Sequence, residues 1–186
     1  MSERGQQLHA TADQQIADLI DLLATLDEST LRLPCPGREK FGDGTIAASA
    51  QHTADNYRRI AGFVETSDRM TGRSDPNGHG AHRVPRFLTA LGHRSPEHAA
   101  HSHDSAGPHD DQYTAENIDL HALLEQLSTT RESLERIATL TDSQLQTIPP
   151  DGSFRFSDGQ RTLDQVLTSL LKHQSHQIEA VTAPLA

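Results

Sequence analysis

The run Arg161-Thr-Leu-Asp-Gln-Val-Leu-Thr-Ser-Leu-Leu-Lys-His-Gln-Ser-His-Gln-Ile-Glu-Ala-Val181 decides the fold class. Thr162, with Gln165 three residues on, is the hydroxyl-and-amide pattern of a capping box, so a helix opens there. Leu163, Val166, Leu167, Leu170, Ile178 and Val181 recur at three- and four-residue spacing and mark one apolar stripe. His173 stands in that stripe where an apolar residue is expected, and Gln177 follows four residues later. At about 100° per residue, His176 lies about 60° to one side of His173 and Gln177 about 40° to the other.

The same period appears in three other places. Leu8, Ala12, Ile16, Leu19, Ile20, Leu23 and Leu26 predict a first helix. A loop follows from Arg32 to Gly44, rich in Pro and Gly, after which Thr45 or Asp43 can cap a second helix from Ile46 to about Thr66. Its inner side is Ile46, Ala50, Thr53, Tyr57, Ile60, Ala61 and Val64, and Gln51, Asp55 and Arg59 fall on the outer face. Leu120, Leu123, Leu124, Leu127, Leu134, Ile137 and Leu140 predict a third helix from Ile118 to Leu140, with Asn117 as its cap. Phe154-Arg-Phe156 and Asp158-Gly159 suit a small hairpin or an ordered turn before the last helix. Four amphipathic segments with almost no strand signal predict an all-α four-helix bundle, one domain over residues 1–186.

Between the second and third helices the period disappears. Residues 67–113 are dominated by Gly, Pro, Ser, Asp and His, and a stretch of this length inside a compact domain reads as a lid or a mobile excursion. Within it, Val84-Pro-Arg-Phe-Leu-Thr-Ala-Leu91 suits a helical turn or short strand docked on the body.

Composition excludes several classes. Twenty-six acids against sixteen bases give a net charge of −10 with no basic stripe, a poor match to nucleic acid. Asp18 and Asp21 interrupt the longest apolar stretch, so no membrane span is expected, and the first residues lack a signal-peptide core. Cys35 is alone and flanked by prolines; without a neighbouring base or cation it reads as packed rather than reactive. The expectation is a cytoplasmic protein.

Histidine is the unusual component, with twelve in 186 residues. Seven, His79, His82, His93, His98, His101, His103 and His109, fall in the insertion, where irregular spacing favours a polar excursion over a secondary metal site. His9 and His121 read as surface residues. His52 lies at the edge of the second helix's apolar arc and, with His173, faces the bundle interior. A third His from another helix would complete a three-ligand set that leaves one metal position open.

The phrases Leu33-Pro-Cys-Pro-Gly-Arg38, Ala50-Gln-His-Thr-Ala-Asp55 and Arg161 to His176 resemble the DinB/YfiT-like superfamily, which includes thiol-dependent S-transferases and maleylpyruvate isomerases. The resemblance covers roughly residues 5–66 and 115–183 and not the insertion. It implies a divalent metal, zinc or nickel, bound by one His on the second helix and two His four apart on the last. His52 and His173 match the first two positions, whereas the third falls on Gln177 and this chain offers His176 one residue earlier. Either His176 supplies the third ligand, or the site is degenerate and holds metal weakly.

On this resemblance the chain is a metal-dependent transferase or isomerase acting on a small molecule, with a low-molecular-weight thiol such as mycothiol or bacillithiol as co-substrate. Bundles of this kind often pair through apolar edges, so a homodimer is within the expectation. The competing reading is a non-catalytic metal-binding or interaction module, and a metal-free structural bundle stands behind it.

Overall fold

Helix caps account for most of the element boundaries. The computed structural model describes residues 2–38, 42–71 and 113–185. It is mostly helical, and the described residues contain no strand, only an antiparallel bridge between Pro34 and Thr45. Helix α1 spans Glu3–Ala24, with Ser2 as its cap: the Ser2 hydroxyl accepts from the Gly5 N–H at 2.9 Å. A single turn, α2 (Glu28–Leu31), starts from Asp27. Helix α3 covers Ile46–Thr71, running beyond the expected end near Thr66. Of the two candidate caps, Thr45 acts on the helix, its hydroxyl accepting from the Ala48 N–H at 3.2 Å, while Asp43 Oδ1 accepts from Thr45 itself.

The expected third helix is divided. Helix α4 covers Leu120–Leu134 and is capped by Asp119 rather than Asn117, because Asp119 accepts from the N–H groups of His121 and Ala122. At Glu135 the chain tightens, with Glu135 N–H donating to the Glu132 carbonyl, and a single turn, α5 (Arg136–Thr139), follows. Another single turn, α6 (Asp142–Leu145), opens on a Thr141–Gln144 capping box. Helix α7 spans Leu163–Thr182 and opens on the expected Thr162–Gln165 box. The hairpin reading of residues 154–159 gives way to turns, and residues 84–91 lie outside the described part of the chain.

Among the described residues four long helices enclose one core. Helix α1 packs on α4 and α7, and α3 packs on the same two. Arg4 meets Asp164 and Thr168, and Gln15 meets Leu171 and Ser175, so α1 and α7 run parallel. The Ser2 N–H donates to the Leu140 carbonyl and Arg131 pairs with Asp13, so α4 runs the other way. Helix α3 is antiparallel to α7: Thr53 meets Gln174 midway, Cys35 meets Ala180 at one end and Phe63 stacks on Phe154 at the other. The interior is filled from all four by Ile16, Leu19, Leu23, Tyr57, Ile60, Leu123, Leu127, Leu134, Val166 and Leu167. Full burial of a Leu-sized side chain contributes about 1.5–3 kcal/mol, so this shared core is the main stabilising term.

Candidate functional site

The core face of α7 changes character halfway along. Leu163, Val166, Leu167, Leu170 and Leu171 are buried and apolar, then Gln174 and Gln177 are buried, at 1% and 3% exposure, before Val181 closes the stripe. Gln174 donates from Nε2 to the Thr53 carbonyl at 3.3 Å, and its Oε1 is buried without a hydrogen-bond partner. Gln177 Nε2 lies 3.0 Å from His173 Nε2, a bond in which the amide donates and the imidazole accepts. His173 itself is half-buried at the edge of this polar section.

His173 is held neutral. Burial comes first among the causes, followed by the positive charges of Arg155 and Arg38 and then the neighbouring His52 and His176; together they lower its pKa from 6.5 to about 4. The Phe156 ring meets the imidazole edge-on with centroids 6.1 Å apart, and the Arg155 guanidinium carbon lies 5.2 Å above the Phe156 ring. Phe156 has φ 69°, a left-handed conformation costing a non-glycine residue about 1–2 kcal/mol. Two hydrogen bonds brace it: Ser157 N–H to the Phe154 carbonyl and Gly152 N–H to the Ser157 carbonyl, each 3.0 Å.

On α3, His52 is partly buried and meets the Tyr113 ring edge-on at 6.3 Å. Tyr113 donates its hydroxyl to Asp55 Oδ2 at 2.5 Å, and Asp55 Oδ1 accepts from Gln126 at 2.9 Å and Arg58 at 3.0 Å. Asp55 is therefore 7% exposed, not on the outer face as the helical projection implied. That projection assumed solvent where the segment from Tyr113 onward and α4 cover the helix. Gly42 makes the approach feasible: a Cβ there would sit 1.7 Å from the Tyr113 carbonyl oxygen.

The structure sets His52 near enough to His173 to act on it electrostatically, beside the Gln174–Thr53 bond, and turns His176 outward. The His176 side chain is 59% exposed, its Nδ1 3.1 Å from Glu179 Oε2, and its backbone carbonyl accepts from Arg38 at 3.0 Å. Among the described residues no three His, Cys, Asp or Glu side chains form a group able to hold a metal. The donors at the site are two imidazoles and an amide. A neutral His173 suits metal ligation, and turning the Gln177 amide over would exchange its Nε2 for Oε1 without changing its shape. Two imidazoles are one short of the three-residue set of a catalytic zinc site, and the Gln177 amide is the further donor beside His173.

His121 is exposed, but His9 is only partly so, its Nε2 buried without a hydrogen bond. Cys35 is 1% exposed and donates its thiol to the Ala180 carbonyl at 2.8 Å. The seven insertion histidines lie outside the described residues. No described helix is long and apolar enough to cross a membrane. A groove of about 990 Å³ runs between α3 and α4, but its lining, including Arg58, Glu65, Glu125 and Arg136, contains no histidine and mixes both charge signs, as a solvated helix seam does. Of the site's components, the sequence reading missed Tyr113, Gln174 and the role of Phe156. Comparison with protein-family models, curated proteins and solved structures finds no match.

Proposed function

We propose that this chain is a DinB-like four-helix bundle, with its His-rich insertion over residues 67–113, that holds one divalent metal, zinc or nickel, at His52 and His173. The observation that supports the reading is that His52 lies near enough to His173 across α3 and α7 to act on it electrostatically, beside the Gln174–Thr53 bond, and that burial keeps His173 neutral. The third donor is His176, after leaving Glu179, or Gln177 through its Oε1. When bound, such an ion lowers the pKa of a coordinated thiol or water and so supplies a nucleophile at neutral pH. The protein's own contribution is to present an unprotonated His173 near His52 and to pack Phe156 against His173 and Tyr113 against His52. S-transfer or isomerisation of a small molecule, with mycothiol or bacillithiol as thiol, is the activity proposed for this site.

Elemental analysis of untagged wild-type, His52→Ala and His173→Ala proteins tests the reading. It expects about one ion per chain in the wild type and loss in both variants, with the helical circular dichroism spectrum retained. Equal metal in wild type and His173→Ala removes the site.

A non-catalytic module is favoured by one observation: the Gln177–His173 bond, with His176 turned to Glu179, satisfies the site without a metal. On that reading the wild type binds no ion here and Gln177→His, which restores the i, i+4 pair, creates the binding. Several weak ions that survive both His→Ala changes but vanish on deletion of residues 76–109 would assign metal binding to the insertion instead.

A further inference from the structure

Helices α3 and α4 are consecutive and run parallel: Gln126 of α4 meets both Gln51 and Asp55 in the first half of α3. The chain therefore leaves α3 at Thr71, at one end of their seam, and the described part resumes at Tyr113, whose hydroxyl donates to Asp55 toward the other. From Asp55 to Thr71 is about 24 Å at about 1.5 Å per residue, a distance that about eight extended residues cover. Residues 72–112 are far more than this return requires.

Along the same seam lies the groove between α3 and α4, which runs on α3 from Arg58 to Glu65. Small residues line it, among them Ala61, Ala122 and Thr129. Its charges are mixed but uneven, with four glutamates against two arginines. Arg58 is already paired with Asp55, whereas Glu125, Glu132 and Glu135 are exposed and make no ion pair among the described residues.

The connection supplies a segment of complementary composition. In a chain of net charge −10, residues 76–96 contain no acid and carry Arg83, Arg86 and Arg94. Val84, Phe87, Leu88 and Leu91 recur among them at three- and four-residue spacing, the pattern of one apolar face. We propose that residues 82–94 dock in the groove between α3 and α4, the apolar face against Ala61, Ala122 and Thr129 and the arginines beside Glu125, Glu132 and Glu135. Opposite potentials fix the register of such a contact, and attachment at both ends of the seam gives the segment a high effective concentration there. The lining includes neither His52 nor His173, so the inference is independent of the proposed metal site.

The chain has no tryptophan, so Phe87→Trp gives the full-length protein a single fluorescent reporter. Docking predicts a blue-shifted emission that resists acrylamide quenching and does not change on dilution. Combining Glu125→Lys, Glu132→Lys and Glu135→Lys, all at exposed helical positions, should shift the emission to the red and restore quenching while the helical circular dichroism spectrum is retained. A spin label on Ala90→Cys, in a Cys35→Ala background, should broaden the amide resonances of Ala61, Ala122 and Thr129 more than those of α1 and α7. The emission of an exposed tryptophan with the native groove, a blue shift that survives the charge reversal, or broadening centred away from the groove overturns the docking. A blue shift lost on dilution places the segment of a second copy in the groove and overturns it as well.

Discussion

His176 and Gln177 show how one residue along a helix separates an exposed position from a core-facing one. Gln177 faces the core and bonds His173, whereas His176, one residue earlier, is exposed and meets Glu179. The inward position of His173 is legible in the stripe Val166, Leu170, His173, but the outward turn of His176 is not, because 60° from the stripe centre is interior or exterior depending on what packs there. Asp55 is the converse: its projection reads as outward, and Tyr113 and Gln126 bury it. The depressed pKa of His173 gives a pH dependence. Above pH 6.5 the imidazole is neutral in folded and unfolded chains alike; below it the unfolded chain binds a proton that the fold refuses down to about pH 4. Stability therefore falls through this window, by on the order of 1 kcal/mol once solvent screening of a half-exposed group is allowed for. Urea midpoints at pH 7 and pH 4.5 should drop further for wild type than for His173→Asn; an equal drop contradicts the assignment.

At the level of elements, the hydroxyl-and-amide capping box is the signal that local sequence carries most clearly. Thr162 with Gln165 opens α7 as its sequence predicts, while the same pattern at Thr141 with Gln144 opens α6, a turn too short to show a stripe. The break after α4 carries no sequence signal, since Leu134, Ile137 and Leu140 keep the helical period across it. It follows from tertiary contact: the start of α1 occupies the space, Ser2 bonding the Leu140 carbonyl and Gly5 lying against α5. A Cβ on Gly5 would come within 2.8 Å of the Ile137 carbonyl oxygen and 3.1 Å of that of Leu140. Gly5→Ala should thus destabilise by about 1–3 kcal/mol despite its better helix propensity. Exposed Gly62 in α3 meets nothing within 4 Å, so Gly62→Ala should stabilise by about 0.5–1 kcal/mol. Thermal unfolding of the two variants checks the opposite signs, and a shared sign would refute the packing argument.

Across the whole molecule, one polar network joins three helices through the core. Tyr57 of α3, fully buried, donates to Gln15 Oε1 of α1 at 2.8 Å, and Gln15 Nε2 donates to Ser175 and the Leu171 carbonyl of α7 at 2.6 and 3.2 Å. Burial pushes the Tyr57 hydroxyl above its ordinary range, so it remains a donor at all working pH values. Tyr57→Phe leaves the Gln15 carbonyl oxygen without its donor and should cost about 1–2 kcal/mol. In a double-mutant cycle with Gln15→Met the two losses should be less than additive; full additivity would mean the network is not one unit. Connectivity is set at this scale too. The consecutive helices α3 and α4 run parallel, and such a pair needs a connection long enough to span a helix. By itself the sequence determined the helical class, the four stripes and the capping box that opens α7, because each depends on spacing along a single element. Tertiary structure alone decided which stripes meet, the burial of Asp55, the division after Leu134 and the setting of Phe156 and Arg155 beside His173. Those depend on neighbours distant in the chain, whose approach no local period encodes.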